Sequence, residues 1–276
     1  MRPGAGEAVR ITVSMTVACA LGALILGGVS VGTERHRREG ERARERAAML
    51  ELLDLDAGAR LLEVREYLRA PDPAVVYRAA PLGAPAPGRE VTFSLDGARL
   101  SRRPLAPGEP VAAALAPLGR IVVATRAGAP AGFVVEGEVR GFKDRIRFLV
   151  AITPGFEIAG VRVVELAEDP GLGAEVATPW FAGQFAGRTL AEASRLEVTR
   201  DPMPEDWRAA LEALVRRTSD ARARHDALLA RERGRPVYAV TGATISSRAL
   251  TLGVRATVEH FRRRWALLAP ELQGLS

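Results

Sequence analysis

The chain has 276 residues, with 39 Lys or Arg, 33 Asp or Glu and 3 His, for a net charge of +6. Its 47% hydrophobic and 26% charged residues are those of a globular chain, which excludes whole-chain disorder and leaves room for one or two domains. A single cysteine excludes an internal disulfide framework, a Cys-rich zinc site and a cysteine-held iron–sulfur cluster, and three scattered histidines offer little for a metal, so none is expected. The basic residues are all Arg except Lys143, in a chain without Asn and rich in Ala and Gly. That composition reads as coding bias rather than a basic face. With no recognition motif, no nucleic-acid partner is expected.

Residues 11–32 read ITVSMTVACALGALILGGVSVG without a charge. At ~1.5 Å per helical residue they reach roughly 33 Å, the hydrocarbon thickness of a bilayer. The run is longer than the ~7–15 apolar residues of a cleaved signal peptide, and no small-x-small site precedes the charged stretch. It reads as a retained single anchor, with residues 1–33 as the anchor segment. Arg2 and Arg10 precede it, whereas Arg35, Arg37, Arg38, Arg42, Arg44 and Arg46 follow, which by the positive-inside rule alone would keep the C-terminal part in the cytoplasm.

Residues 34–50 alternate Arg and Glu and predict a solvated helical stalk. Leu52, Leu53, Leu55, Leu61, Leu62, Val64 and Leu68 suggest that the helix continues to about residue 69. Residues 70–110, rich in Pro, Gly and Ala, read as a loosely packed extension with one strand-like piece near Val91–Leu95. Residues 34–110 thus group as stalk and extension, and 111–276 as the folded domain.

That domain opens on four β-branched runs, at 120–125, 132–139, 146–152 and 158–166, separated by short turn signals. They predict an antiparallel meander with one face buried. Pro204-Glu205-Asp206 opens a helix with Trp207, Leu211, Leu214, Val215, Leu228 and Leu229 on its apolar side. A last helix from Ser246 or Ser247 carries Leu250, Val254, Val258, Phe261, Trp265 and Leu268 at three- and four-residue spacing. The fold class is α+β: an N-terminal transmembrane helix, then an antiparallel sheet with flanking helices.

Two glycine motifs stand out. Glu168-Asp169-Pro170-Gly171-Leu172-Gly173 follows the fourth strand. It reads as a tight turn, or as a backbone able to approach a planar ligand because Gly171 and Gly173 lack a Cβ. Glu165, Glu168 and Asp169 beside it read as a solvated acidic turn. Thr241-Gly242-Ala243-Thr244-Ile245-Ser246-Ser247 leads into the final helix. It reads as a capped helix start, or as a phosphate site at a helix N-terminus with the Thr244 hydroxyl beside it. A P-loop is excluded because no Gly-Lys-Ser/Thr follows.

An anchor, a meander ending in Pro-Gly-Leu-Gly and a Thr-Gly-Ala-Thr helix start, in that order, resemble the flavin-binding RnfG family of the Rnf electron-transport complex. The related NqrC family of the sodium-pumping NADH:quinone oxidoreductase is similar. The resemblance covers roughly 120–200 and 236–268, including Gly141-Phe142, Trp180-Phe181 and Phe185. It implies an FMN-binding domain with the FMN phosphate esterified to Thr244 by a separate flavinyltransferase. It places Gly171, Leu172 and Gly173 against the isoalloxazine ring, and Thr241, Gly242, Ala243 and Ser246 around the phosphate end. It implies electron relay among the membrane subunits of an ion-translocating complex in the inner membrane, with the domain on the extracytoplasmic side despite the arginine count. A stand-alone extracytoplasmic FMN carrier and a flavin-free assembly subunit are the alternatives. Electron relay needs no catalytic acid–base pair, and none is evident.

Departures are visible too. Tyr238 stands where family members carry Asp, three residues before the Thr-Gly-Ala-Thr unit; Glu165-Leu166 replaces a common Glu-His; and about 202–234 reads as a helical insertion.

Overall fold

The computed structural model of the chain describes residues 13–16, 19, 40–41, 43–83, 86–215, 219–232 and 234–275. Residues 1–48 and 49–276 form two separate units. Apart from Val13–Thr16 and Cys19, which are helical, the apolar run 11–32 lies outside the described residues. Among the described residues no helix is long and apolar enough to cross a membrane.

Residues 43–52 are helical (α1), with Met49 and Leu50 buried rather than solvated, but the helix does not continue to residue 69. Asp54, at φ 54°, breaks it, and Arg60–Arg69 form a strand, β1. The leucines there alternate rather than follow a helical period: Leu62 and Val64 enter one core and Leu61 another on the opposite face. The segment read as a loose extension is likewise ordered. It supplies β2 (Ala74–Pro81), β3 (Gly88–Ser94) and β4 (Arg99–Leu105). The four predicted strands follow as β5 (Leu115–Arg126), β6 (Ala129–Arg140), β7 (Arg145–Ile152) and β8 (Ile158–Leu166). All eight join in one antiparallel sheet ordered β4-β3-β2-β1-β5-β6-β7-β8.

Short helical turns at Gly173–Ala177, Pro179–Ala182 (α2), Gly183–Phe185 and Leu190–Ala193 (α3) follow β8. Thr189 caps α3 and Glu192 reaches back to its N–H, a reciprocal pair that fixes the start of a four-residue helix. The predicted insertion is two helices rather than one, α4 (Glu205–Val215) and α5 (Ser219–Glu232). The side chains of Leu214, Val215 and Leu229, expected on its apolar side, lie outside the described residues. A parallel pair, β9 (Val198–Thr199) with β10 (Val237–Tyr238), forms a separate two-stranded sheet, and α6 runs from Thr244 to Leu268.

The spacing of Leu250, Val254, Val258, Phe261 and Leu268 turns one stripe of α6 onto the sheet, where all five are buried with Phe133, Phe148 and Val150. Phe133 also meets Phe261 and Trp265 at ring separations of 5.1 and 4.5 Å. The opposite face is not simply solvated, contrary to a meander with one buried face. Met49, Leu50 and the partly buried Leu52, Leu53 and Leu55 cover Leu61, Val122, Val134 and Leu149 there. Beyond them a charge ladder crosses five strands. Arg120 reaches Glu63 at 2.5 Å, and Arg147 bridges Glu136 at 2.5 Å and Glu165 at 2.7 Å.

Candidate functional site

The two glycine motifs meet at the mouth of α6. Gly171 (φ 74°) and Gly242 (φ 80°) both occupy the left-handed region, so each bend requires glycine. A Cβ built on Gly242 would lie 3.1 Å from the Leu172 side chain, so the loop at 171–173 rests directly on the bend before the helix.

The hydroxyls of the second motif are divided in their duties. Ser247 accepts from the Val240 N–H at 3.0 Å and donates to the Ala243 carbonyl at 2.9 Å, which pins the turn. Ser246 is buried and donates to Glu168 at 2.7 Å, so the hydroxyl of this candidate phosphate contact is committed inward. The half-buried Thr244 is the first helical residue, and its hydroxyl makes no hydrogen bond among the described residues. The helix begins there, two residues earlier than the sequence suggested. Its N-cap, Ala243, has no side-chain acceptor, so the N–H groups of Thr244, Ile245 and Ser246 are left uncapped. On the facing loop, the Leu172 N–H closes a turn onto the Asp169 carbonyl at 3.2 Å, while those of Gly171 and Gly173 find no acceptor among the described residues. Thr241 and Gly242 are exposed and Ala243 is buried.

Glu168 is not part of a solvated acidic turn. Glu165 and Asp169 keep half-exposed side chains, but Glu168 is only 8% exposed. It accepts from the Ser246 hydroxyl and from the backbone N–H groups of Lys143 (3.0 Å), Asp144 (3.4 Å) and Phe142. Burial alone would raise its pKa; these four donors outweigh burial and hold the carboxyl below the usual range. A Cβ on Gly141 or Gly173 would collide with its carboxylate oxygens. One buried carboxylate therefore joins the β6–β7 turn, the glycine loop and the first turn of α6. Sequence reasoning misses this role, since no local pattern marks one of three neighbouring acids as the buried one. Across the rim, Lys143 and Asp169 pair at 2.6 Å, and Phe142, Leu172 and Ile245 present side chains 68%, 49% and 59% exposed.

Tyr238 is buried. Its N–H donates to the Gln184 side-chain oxygen at 2.8 Å and its carbonyl accepts from the Gln184 amide at 3.1 Å. Its ring packs with Trp207 and Leu211 of α4, and its hydroxyl accepts from Arg235 at 3.2 Å. Helix α4 thus covers the position where the resemblance expects an aspartate. Trp180, Phe181 and Phe185 stack edge-on at 5.8 and 5.9 Å, the latter two fully buried in the core behind the loop.

A cavity of about 470 Å³ lies elsewhere, between the β3–β4 turn (Leu95, Asp96, Gly97) and the far half of α6 (Ala256, Glu259, His260, Arg263, Arg264, Leu267). At ~1.5 Å per residue its nearest helical wall is about 18 Å along the axis from Thr244. Beside it the buried Glu66 accepts from Tyr77 (3.1 Å) and faces His260 (2.7 Å) and Arg264 (3.4 Å). The cavity is lined by none of the sequence-predicted site residues. Among the described residues no cluster could hold a metal ion.

Comparison with known proteins bears on the same segment. Residues 141–259, which span both motifs, match the FMN-binding domain family. The chain is 30% identical over 127 residues to the G subunit of a proton-translocating ferredoxin:NAD(+) oxidoreductase complex of Clostridium ljungdahlii, covering 46% of this chain and 51% of that protein. It is 32% identical over 155 residues to the G subunit of an ion-translocating oxidoreductase complex of Cereibacter sphaeroides, covering 55% and 57%. It therefore spans little more than half the length of these curated relatives. The crystal structure of Shewanella oneidensis NqrC, 16% identical, superposes with a TM-score of 0.49 over 84% of this chain and 99% of that one. The resemblance read from the motifs is thus matched by the relatives, and the domain match supports FMN as the cofactor.

Proposed function

We propose that the chain is the FMN-carrying subunit of a membrane-bound, ion-translocating oxidoreductase complex of the Rnf type, with FMN held through a phosphoester to Thr244. The observation that carries this reading is the uncapped mouth of α6. It offers three uncapped N–H donors and a Thr244 hydroxyl with no partner among the described residues, beside a loop whose two glycine N–H groups have no acceptor there.

The residues present fit the group. The Thr244, Ile245 and Ser246 N–H groups and the positive end of a 25-residue helix suit a phosphate. The backbone at Gly171 and Gly173 permits close approach to a flat ring, and Phe142, Leu172 and Ile245 supply apolar cover. When bound, FMN supplies the electron transfer; the protein binds, orients and tunes it. The Gly171 and Gly173 N–H groups, which have no acceptor among the described residues, would be available to negative charge on the ring. Glu168 commits its hydrogen bonds to the frame rather than to a proton transfer, which suits a relay without acid–base chemistry.

A phosphoester explains why the hydroxyl stands free. Outside the cytoplasm a dissociable cofactor is lost by dilution, and an ester through the phosphate prevents that while leaving the ring unaltered. A flavinyltransferase meets the exposed Thr241–Gly242 side of the motif, since the Tyr238 side is covered by α4 and α5. The apolar run 11–32 supplies the anchor in this reading, and other membrane subunits are the electron donor and acceptor.

Acid denaturation of protein produced together with a flavinyltransferase tests the proposal. Yellow chromophore should stay with the precipitated polypeptide. Chromophore released to the supernatant would contradict the ester, and protein that never acquires chromophore would contradict the flavin.

A further inference from the structure

We propose that Glu168 is the positioning residue of this cleft: its carboxylate sets the gap between the 171–173 loop and the mouth of α6, and so fixes the ring relative to its phosphate anchor. The inference rests on the flavin reading and adds to it a residue that makes no contact with the ring.

The geometry leaves the carboxylate no other occupation. It is buried, and each oxygen is engaged by a different part of the frame. Oε1 takes the Lys143 and Asp144 N–H groups of the β6–β7 turn. Oε2 takes the Ser246 hydroxyl from α6. Gly141 and Gly173 approach so closely that a methyl group in place of either hydrogen would displace it. Three segments distant in sequence therefore have one common joint, and the two that carry the proposed ring wall and phosphate site are joined through it. Hydrogen bonds to a charged group are individually strong, and a buried acceptor stripped of its charge leaves its donors unsatisfied. The charged groups facing Glu168 are few. Lys143 and Asp144 come from the turn, the latter accepting from the Arg145 N–H at 2.7 Å, and Asp169 comes from its own loop; α6 contributes only the Ser246 hydroxyl.

The test uses the full chain as wild type, Glu168→Gln, Ser246→Ala and, as a control, Glu165→Gln. Amide hydrogen exchange on flavin-free protein reads the joint alone. Glu168→Gln should accelerate exchange about tenfold or more across 141–144 and at Leu172 and Ala174, whose N–H groups are the bonded amides of the glycine loop, from the loss of charged hydrogen bonds. Ser246→Ala, which removes one donor and spares the fold, should do so less, and Glu165→Gln should leave exchange unchanged. Fluorescence anisotropy of the flavin on loaded protein reads positioning. In the wild type it should fall as pH drops below the ordinary glutamate range; in Glu168→Gln it should be low at neutral pH and flat with pH. A purely structural residue would not move that profile. Unchanged exchange in both Glu168→Gln and Ser246→Ala, or wild-type anisotropy and pH profile in Glu168→Gln, would overturn the proposal. Wild-type protein that binds no FMN would overturn the flavin reading instead, and the exchange arm would still decide the joint.

Discussion

The two ends of α6 carry similar amounts of polar chemistry and use it in opposite ways. At the far end, Arg264, His260, Glu66 and Tyr77 satisfy one another, and Arg263 turns to Glu259. Burial first, then the neighbouring Glu66 charge, push the Tyr77 phenol well above its ordinary range. The space beside them is a cavity of about 470 Å³, yet its polar groups already have partners. At the near end no comparable network closes over the helix among the described residues. Three N–H donors and the Thr244 hydroxyl have no protein partner there, while Ser246, Ser247 and Glu168 are consumed in holding the bend. Open volume is therefore the poorer guide to a site. Unsatisfied hydrogen-bonding capacity on a rigid frame is the better one.

The comparison is broken most forcefully at the far end. Phe261→Ala, in the core beneath α6, should cost about 3–5 kcal/mol in urea unfolding, yet the folded fraction should still take up flavin. Loss of flavin from fully folded molecules would mean that the two ends are not independent. Gly173→Ala forces a Cβ against Glu168 and to within 3.0 Å of the Ser246 hydroxyl. It should cost about 1–3 kcal/mol and reduce flavin content per folded molecule as well.

Acid sharpens the contrast. The Glu168 carboxyl is held below its ordinary value in the folded chain, so it binds a proton less readily there than when unfolded. Its contribution is complete above the unfolded value of about 4.3 and is lost as pH falls through the folded one. Thermal melts of wild type should steepen downward on that limb relative to Glu168→Gln, and parallel curves would contradict the assignment. The smallest effect on stability belongs to Thr244→Val, under about 0.5 kcal/mol, because the hydroxyl supports nothing in the frame.

Legibility of the fold follows local pattern. Strands β5 to β8 are readable because Ile and Val runs are punctuated by turns such as Thr153-Pro154-Gly155. Strand β1 reads as helix because Leu and Glu favour helices, and only its two-residue alternation, hidden by inward leucines on both faces, points to a strand. Strands β2 and β4 read as loose because the segment is rich in Pro, Gly and Ala, and only the Val91–Leu95 piece, overlapping β3, reads as strand, although Asp96-Gly97 between β3 and β4 is a hairpin signal. In the site, Thr244, Gly171 and Gly242 announce themselves by residue type. Glu168 does not, because its burial depends on a turn 25 residues away meeting a helix 78 residues away.

The central claim, that the free hydroxyl at the mouth of α6 carries the cofactor, is tested most directly by mass spectrometry of intact and digested protein produced together with a flavinyltransferase. One FMN-sized increment is expected, localised to the peptide containing Thr244 and absent from Thr244→Val protein that folds normally. An unmodified wild-type mass, or an increment that survives Thr244→Val, would contradict it.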